Sequence, residues 1–546
     1  MLIRKISLLV IMTIAVAVAG CGSSGSSDSS NSTVKLDDSS EVLNIVAGSE
    51  QKKILEQVVT PWCNDKGYKC HYKLLGSVDQ ARLLQDGGEK SPYDVYWFSS
   101  SVFQQLGDQK SELKDVKPVF TTPVVFAGWK DEMQKLGFVN RKVSIAEIVR
   151  AIESKKTNVW ITNPTQSNSG ATAYLTFLNY LAGNRPTEQL TMSQLQSPEL
   201  KEKIKKFTRS IAKTPPSSGG MMDDCAARPR ACKTMFTYED LVIEKNQELV
   251  KNGKQPLYAV YPSGGIAISD SPIGFFPHGD NPEKRETFKA LQDYLLSPAA
   301  QDKAKALGRR PYNSIGLSLI GADTDVFNPD WGIKTDVNEP VVSYPKAEVI
   351  DAVLNNYQLA YRRSVDAVYC LDGSGSMNEN GGWTGVQEAA RNLFSPAMAA
   401  RNRLQIGSKD STTVYVFDDL VKDDARWTVN GNQPSDLEAL NQGIQDTQAD
   451  GGTGIYGCLG EAADYFSQRP ADGRKRMVIL MSDGQDQNGS EDQDIRLGGL
   501  GIPVIAIGFG DDVDSSQLES IARNTNGTFI TSDDMVKALR DATSYK

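Results

Sequence analysis

The sequence has very little histidine, with only His71 and His278 among 546 residues. Neither lies near a candidate nucleophile, and two such distant residues cannot form the closely spaced pair of a zinc-binding helix. The chain also lacks the Gly-x-Ser-x-Gly turn that carries the nucleophile of many hydrolases. Water activated by a metal between two carboxylates is the one catalytic route left open. We expect a protein that is not an enzyme.

Basic residues are not in excess either. The chain has 59 Lys and Arg against 68 Asp and Glu, which gives a formal net charge of −9. A protein that binds nucleic acid concentrates positive charge where it meets the phosphates. No block of lysine or arginine occurs here, so we expect no nucleic-acid partner.

The N-terminus carries an apolar run that is too short for a permanent membrane span. Arg4 and Lys5 precede this run, which covers residues 6–19. It ends in Val18-Ala19-Gly20-Cys21, which resembles the lipobox of bacterial lipoproteins. The resemblance implies a signal peptide over residues 1–20 and a lipid on Cys21. A plain secretory signal is the alternative.

Lipid on Cys21 would place the protein in the bacterial cell envelope, anchored to a membrane and facing the periplasm or the exterior. Residues 21–41 are mostly serine with glycine, asparagine and aspartate. Such a segment buries too little apolar surface to fold, so we predict a flexible tether.

Cysteine is scarce, and its spacing is informative. Without Cys21, six cysteines remain. Cys63 and Cys70 enclose one short loop, and Cys225 and Cys232 enclose another, which predicts two local disulfides in an oxidising compartment. Zinc is the alternative for Cys225 and Cys232, although no histidine lies nearby. For the remaining two, Cys370 and Cys458, the sequence leaves open whether they are paired.

The C-terminal third alternates apolar strands with helical patterns. Residues 477–481 and 502–507 are apolar without alternation, as expected of strands buried on both faces of a parallel sheet. A helical pattern over residues 347–363 precedes the first strand. We predict a connecting helix at 347–364 and a doubly wound, Rossmann-like α/β domain at 365–546.

The first strand of this domain ends in a group of oxygen-bearing residues. Asp372, Ser374 and Ser376 follow the apolar residues 365–371 at intervals of two. Carboxylate and hydroxyl oxygens suit a hard divalent cation such as Mg²⁺. Ordinary turn composition is the alternative, because Asp, Gly and Ser all favour turns.

Asp-x-Ser-x-Ser after an apolar strand resembles the metal-ion-dependent adhesion site of von Willebrand factor A (VWA) domains. The family needs a Thr and a second Asp on later loops, and Thr453 and Asp483 occupy such places. The resemblance implies Mg²⁺, or Mn²⁺ or Ca²⁺, bound directly by the hydroxyls and through water by the carboxylates. It also implies that an acidic residue of a partner protein fills the open coordination position.

The N-terminal region also alternates strands and helices, with serines after several strands. Ser49, Ser77, Ser167 and Ser169 begin helical patterns, where free N–H groups favour anions. Helix capping without any ligand is the alternative for each serine.

Three segments with the 281–311 tail make this region resemble type II periplasmic solute-binding proteins. These segments are Gly48-Ser49-Glu50, the loop 163–170 and Tyr261-Pro262-Ser263-Gly264-Gly265. The resemblance implies a two-lobed region over residues 42–346, with chain crossings near 122–126 and 267–275. Its cleft would be lined by the four serines and Tyr261.

Two functions follow from these patterns. The first is an envelope-anchored binding protein that holds a partner's carboxylate through the cation. The second is the solute receptor of an ABC-type importer, with an oxyanion, a sugar or a similar small ligand in the cleft and the VWA domain as an accessory.

Overall fold

A computed structural model of the protein describes residues 41–279, 281–312, 317–319, 321–379, 381–469, 471–484, 486, 492–508, 515–531 and 535–544. The predicted signal peptide, Cys21 and the tether up to residue 40 lie outside these residues. Within the described ranges, no helix is long and apolar enough to cross a membrane.

The N-terminal region begins with a mixed five-stranded sheet. We call this sheet and the helices that cover it the first lobe. Val42–Ala47 pairs in parallel with a strand on each side, and Pro272–Phe275 returns antiparallel. All six residues of Val42–Ala47 are buried, as expected of a strand covered on both faces. In spatial order, the strands are Lys69–Leu74, Val42–Ala47, Val95–Trp97, Pro272–Phe275 and Lys114–Pro118.

A second sheet forms the second lobe around the long strand Phe120–Trp129. In spatial order, its main strands are Leu257–Val260, Phe120–Trp129, Thr234–Tyr238, Val159–Trp160 and Ile211–Lys213. The short strands Val143–Ser144 and Pro262–Ser263 pair with each other beside it.

The two lobes are joined by crossing strands that pair with one another. Thr122 and Pro123 pair antiparallel with Ser269 and Ile268, within the two segments where crossings are expected. A third crossing, Arg310–Pro311, pairs with the start of the same long strand. Paired crossing segments of this kind are where two lobes hinge.

Helices cover both sheets of the N-terminal region. We call Ser77–Gln85 the first-lobe helix. The α-helices and shorter helical turns of this region are Ser49–Gln51, Lys52–Ile54, Leu55–Val59, Thr60–Lys66, Ser77–Gln85, Gly88–Lys90, Ser101–Gly107, Lys130–Lys135, Ile145–Glu153, Asn168–Leu181, Met192–Gln196, Pro198–Arg209, Ser218–Ala227, Glu239–Lys251, Pro282–Leu295, Pro298–Ala306 and Pro329–Trp331.

The C-terminal domain is built on a six-stranded sheet with Val365–Asp372 in its interior. This strand pairs in parallel with one strand on each side, and its alternate residues face two separate apolar cores. In spatial order, the strands are Val421–Asn430, Ser411–Phe417, Val365–Asp372, Lys475–Ser482, Val504–Gly508 and Thr528–Thr531. The predicted α/β class is confirmed for both regions.

Helices flank this sheet, and we call the last one, Met535–Ser544, the terminal helix. The helical segments from the junction onward are Ala347–Asn356, Tyr357–Tyr361, Gly375–Asn378, Gly382–Phe394, Pro396–Arg401, Pro434–Asp446, Ile455–Ser467, Asp492–Gly499, Ser515–Asn524 and Met535–Ser544. The pattern predicts one helix over 386–402, which is wrong. Ser395 is extended, and Pro396, which has no N–H to donate, begins a new helix.

Candidate functional site

The buried carboxylate of Asp372 lies at the edge of the C-terminal sheet where three parallel strands end. Asp372 pairs with Phe417 on one side, and on the other side the neighbouring strand ends at Ser482. Carboxyl ends of parallel strands meet at one edge of a sheet, which is where such folds place their ligands. The loops after these strands therefore converge on Asp372.

Three hydroxyls and one amide surround this carboxylate. One Asp372 oxygen accepts the Ser374 N–H at 3.0 Å, and the other accepts the Ser482 hydroxyl at 2.5 Å. The Ser374 and Ser376 hydroxyl oxygens lie 3.1 Å apart. Ser374 is buried and Ser376 is exposed. The two predicted serines therefore lie together, with Ser374 inside the site and Ser376 on its solvent-exposed side.

The loop that carries Thr453 is bonded to the Asp372 loop through the backbone. The Gly375 N–H donates to the Gly451 carbonyl at 3.0 Å, and the Asp450 N–H donates to the Gly373 carbonyl at 2.9 Å. Thr453 itself is buried. These bonds place the predicted threonine on the loop next to the two serines.

Asp483 is the second carboxylate of the site and is half-buried beside Ser482. Burial raises the pKa of Asp372 to about 6, the hydrogen bonds from Ser374 and Ser482 oppose this rise, and the negative charge of Asp483 adds to it. Two carboxylates close enough to repel each other disfavour their own ionisation unless a cation is added.

The donor set fits a hard divalent cation. Among the described residues, no Lys, Arg or His forms an ion pair with Asp372 or Asp483, and no cation is among the groups that shift the pKa of Asp372. Within the same ranges, no three His, Cys, Asp or Glu residues cluster as a metal site, which excludes a soft-metal ligand set there. Oxygen ligands of two carboxylates and three hydroxyls suit Mg²⁺ or a similar ion.

Sequence reasoning missed several residues that shape this site. Ser482 bonds Asp372 directly, and its place at the strand end before Asp483 was the available signal. Asp419 accepts the Gly452 N–H at 3.1 Å, and Asp418 accepts the Gly454 N–H at 2.7 Å through its carbonyl. Both acids follow the strand Ser411–Phe417, so they are also strand-end residues.

A groove of about 390 Å³ lies on the surface beside the Thr453 loop. Asp419, Glu461 and Asp464 line it together with Arg496, which pairs with Asp464, and Leu420 is 71% exposed at its wall. The groove therefore has a mixed charged lining beside one exposed apolar side chain.

In the N-terminal region, the structure places three of the four predicted serines in two groups of hydroxyls, one in each lobe. In the first lobe, the Ser77 hydroxyl donates to Ser99 at 3.0 Å. In the second lobe, the Ser169 and Ser167 hydroxyl oxygens lie 2.7 and 3.2 Å from that of Ser218. Ser167 occupies the N-cap of its helix without making a capping bond, so capping does not explain its hydroxyl.

The two lobes contact each other next to these serines. The Ser49 hydroxyl of the first lobe accepts the Gly219 N–H of the second at 3.0 Å. The Val78 N–H donates to the Gln166 carbonyl at 3.2 Å. A Cβ on Gly76 would lie 2.2 Å from that carbonyl, so only glycine permits this approach. The predicted cleft is therefore closed, with its polar groups bonded across it.

Tyr261 belongs to a different network. Its hydroxyl donates to Glu239 and accepts the Lys334 N–H at 3.1 Å, and Glu239 pairs with the buried Arg310. These bonds tie it to the third crossing and to the segment beyond it. The structure shows no bond from the Tyr261 hydroxyl to the four serines, which the resemblance grouped with it.

A buried glutamate that sequence reasoning did not single out lies at the first-lobe serines. The Ser99 hydroxyl donates to Glu50 at 2.5 Å, and Glu50 is 3% exposed. Burial raises the pKa of Glu50 above its ordinary value, while the hydrogen bond from Ser99 and the charge of Arg309 oppose this. Its place in Gly48-Ser49-Glu50 was the signal.

All six cysteines of the described residues form disulfides. Cys63–Cys70 and Cys225–Cys232 are confirmed as predicted, so the zinc alternative for the second pair is wrong. The third bond joins Cys370 and Cys458, the pair that the sequence left open. It connects the strand that ends at Asp372 to the helix that follows Thr453.

Comparisons with known proteins agree with this division. Residues 43–310 match the family model for bacterial extracellular solute-binding proteins, and residues 366–544 match the model for the von Willebrand factor type A domain. No curated protein matched the chain.

Solved structures that resemble the chain fall into the same two classes. A periplasmic thiamin binding protein is 14% identical, with a TM-score of 0.43, and the match covers 58% of this chain and 95% of that one. AfuA of Actinobacillus pleuropneumoniae, a periplasmic binding protein with bound fructose-6-phosphate, gives 14% identity, a TM-score of 0.41 and coverage of 58% and 97%.

For the C-terminal domain, a von Willebrand factor type A protein from Catenulispora acidiphila is 18% identical, with a TM-score of 0.28 and coverage of 34% and 42%. At these scores, the solved structures add no argument to the family models. The chain joins a region similar to extracellular solute-binding proteins to a C-terminal region similar to von Willebrand factor type A domains.

Proposed function

We propose that this protein binds a protein partner in the bacterial cell envelope through a divalent cation on its C-terminal domain. Asp372, Ser374, Ser376, Thr453 and Asp483 would hold Mg²⁺, or Mn²⁺ or Ca²⁺. The cation would supply positive charge to an acidic side chain of the partner. The proposed activity is binding, without a chemical step.

The observation that carries this proposal is the buried Asp372 carboxylate. It is fully buried and its neighbours are hydroxyls and an amide. Burial raises its pKa to about 6, and the negative charge of Asp483 adds to this rise. Burying a charge is costly unless it is paired or coordinates a metal. A divalent cation would remove the repulsion between Asp372 and Asp483.

The exposure of the ligands supports partner binding over a purely structural ion. Ser376 is exposed, whereas Asp372, Ser374 and Thr453 are buried. A structural Ca²⁺ site takes six to eight oxygens, more than the five predicted here. A cation held by the five would remain accessible from the solvent side. The groove with Leu420 would then contact the partner beside the bound ion.

The location follows from the cysteines and the N-terminus. Three disulfides are typical of proteins folded in an oxidising compartment such as the periplasm. Cys21 after residues 1–20 would carry lipid and anchor the protein. Mass spectrometry of the native protein should find an acylated Cys21, and an unmodified Cys21 would contradict the anchor.

Capture of partners from envelope extracts tests the binding function. Wild-type protein should retain a partner in Mg²⁺ and release it in chelator. Asp372→Ala should abolish capture, because it removes the central carboxylate. Ser374→Ala should weaken capture by a smaller factor, because it removes a neutral ligand.

Asp423→Ala is the matched control, since this carboxylate on the edge strand is fully exposed at 104%. It should capture the partner as well as wild type. Calorimetry should show Mg²⁺ or Mn²⁺ binding to wild type and to Asp423→Ala but not to Asp372→Ala. Partner capture that survives both chelator and Asp372→Ala would overturn the proposal.

The solute-receptor function remains the second candidate. The family match over residues 43–310 and the hydroxyls gathered by Ser77, Ser167 and Ser169 support it. A thermal-shift screen with oxyanions, sugars and amino acids tests it. A ligand of this class should raise the melting temperature, and Ser169→Ala should reduce that rise. No shift with any of them would leave the region a scaffold.

A further inference from the structure

The C-terminal domain contacts the N-terminal region at the loop formed by residues 163–170. Ser544 at the end of the terminal helix donates its hydroxyl to the Gln166 side chain and accepts the Asn163 amide at 3.1 Å. Its carbonyl accepts the Thr214 hydroxyl at 3.0 Å, and Asp541 accepts the Gln166 amide at 3.3 Å. The loop that carries Ser167 and Ser169 is thus held by the terminal helix.

Arg540 of the same helix joins three parts of the molecule. Its Nε lies 2.6 Å from an Asp79 carboxylate oxygen on the first-lobe helix. Its guanidinium also donates to the carbonyls of Thr165 in the second lobe and Asn402 in the C-terminal domain. Arg540 is 2% exposed and Asp79 is 3% exposed, so both charges are buried at this junction.

Two further contacts reach the same face of the first lobe. The Arg82 guanidinium donates to the Asn402 side chain at 3.1 Å. Arg401 donates to Asp86, directly after the first-lobe helix, at 2.6 Å. The C-terminal domain therefore contacts the first-lobe helix at Asp79 and Arg82, and it contacts Asp86 directly after this helix.

The C-terminal domain is also attached to the second lobe through the two continuous helical segments that precede it, Ala347–Asn356 and Tyr357–Tyr361, which we call the junction helix. The Tyr357 ring packs edge-on against Tyr174, with ring centroids 5.2 Å apart, and both rings are buried. A body bonded to both lobes resists their separation. Movement of the lobes about the crossing strands would have to break the contacts at the first-lobe helix.

We propose that the C-terminal domain is a clamp that holds the two lobes of the solute-binding-like region closed. Its docking surface is the first-lobe helix together with the 163–170 loop, and a solute enters or leaves only when this contact is released. The clamp does not depend on the cation site, and its effect on a solute rests on the second candidate function, that of a solute receptor.

The buried Arg540–Asp79 pair makes the clamp strong. Separating the lobes would leave Asp79 without Arg540, the cation that acts on it most strongly, and breaking a buried pair is far more costly than breaking an exposed one. The bonds from Gly219 to Ser49 and from Val78 to Gln166 would open in the same movement. Their amide hydrogens therefore report the closed state.

Hydrogen exchange of the full chain, in metal-free buffer, tests the clamp. The reporter is the Gly219 amide, which bonds across the lobes through Ser49. In Arg540→Met, this amide should exchange at least about tenfold faster than in wild type. Arg401→Glu, which sets a negative charge against Asp86, should act in the same direction by a smaller factor.

Arg285→Glu is the matched control, because Arg285 pairs with Asp115 inside the first lobe at 3.0 Å. It should leave the Gly219 amide unchanged. Slow exchange of the strand Lys475–Ser482 verifies that the C-terminal domain is folded in each variant. X-ray scattering should show a larger radius of gyration for Arg540→Met than for Arg285→Glu.

If Arg540→Met fails to fold, Arg401→Glu carries the test, since Arg401 is exposed. Folded Arg540→Met or Arg401→Glu whose Gly219 amide exchanges at the wild-type rate would overturn the clamp. Faster exchange in Arg285→Glu as well would also overturn it, because the effect would then come from general loosening of the first lobe.

Discussion

At the residue scale, the molecule depends on how a few buried charges are compensated. Asp79 is buried beside Arg540, and Glu239 is buried beside Arg310. Asp372 is equally buried, yet its partners are neutral. Buried carboxylates are stable when they are paired, hydrogen-bonded or bound to a metal. This difference separates the proposed cation site from the structural ion pairs.

Asp372 gives a pH-dependent prediction for the metal-free protein. Its folded pKa of about 6 lies above its ordinary value of 3.8, so the folded protein binds this proton more tightly than the unfolded chain does. Stability from Asp372 is then full below about pH 4 and is lost as pH rises to above 6. Compared with Asp372→Asn, wild type should lose about 3 kcal/mol of unfolding free energy over this range.

Urea denaturation of both proteins at several pH values measures this difference. Saturating Mg²⁺ should shrink or reverse it, because a bound cation favours the ionised carboxylate; a site at 100 times its Kd gains about 2.7 kcal/mol. A difference between the two proteins that is constant from pH 4 to pH 7 would contradict the prediction.

At the element scale, the site depends on how closely its loops approach one another. The loop that carries Thr453 leads into the helix Ile455–Ser467 through Gly454. A Cβ on Gly454 would lie 2.3 Å from the Asp419 carbonyl, which is backbone and cannot rotate away. Glycine at this position keeps Thr453 next to Asp372.

Gly454→Ala should therefore displace the Thr453 loop and weaken cation binding by roughly tenfold or more, as loss of positioning contacts typically does. Gly457→Ala is the control in the same helix, because a Cβ there meets nothing within 4 Å. Calorimetry with Mn²⁺ compares the two variants. Equal affinity in both would show that the loop tolerates the shift.

The disulfide between Cys370 and Cys458 joins the strand of Asp372 to the helix after Thr453, across 88 residues. Replacing both cysteines with alanine should lower the unfolding free energy by about 4–5 kcal/mol in the chain-entropy view. The matched loss of Cys63–Cys70, which spans 7 residues, should cost only about 2–3 kcal/mol. Denaturation curves of the two double variants compare the losses of unfolding free energy. A larger loss for the disulfide of the shorter loop would contradict the prediction.

At the scale of the whole molecule, the two regions are packed together rather than strung on a linker. The junction helix buries Tyr357 against Tyr174 of the second lobe, and the terminal helix bonds to the 163–170 loop. The C-terminal domain and the lobes therefore move as coupled bodies.

Tyr357→Ala should remove this packing and destabilise the protein by about 3 kcal/mol, as large-to-small changes of buried aromatic residues do. Leu359→Ala, two residues along the same segment, is the control, because Leu359 is 39% exposed. It should change stability by less than about 0.5 kcal/mol. Urea denaturation distinguishes them, and equal losses would argue against a packed junction.

Much of the architecture was predictable because it rests on local patterns. A helical pattern over residues 455–467 coincides with the helix Ile455–Ser467, because its apolar spacing and the glycines before it are local features. The residues 477–481 lie within a buried strand because a continuous apolar run favours one. Asp372 ends one such strand and Asp483 follows another, so their convergence at one sheet edge needed only the alternating pattern. Thr453 lies instead on the loop between the helices Pro434–Asp446 and Ile455–Ser467.

Other features were not predictable, because they depend on partners far apart in the chain. The edge strand Val421–Asn430 was missed, since it carries four charged side chains and is stable only beside Ser411–Phe417. Tyr261 pairs with Glu239 rather than with the serines, and Cys370 meets Cys458 only after the sheet forms. The sequence alone determined most of the strands and helices and the polar residues that follow the strands of the C-terminal sheet. Only the tertiary structure shows that the two lobes are closed and that Arg540 pairs with Asp79. Contacts between residues hundreds of positions apart have no local pattern in the sequence.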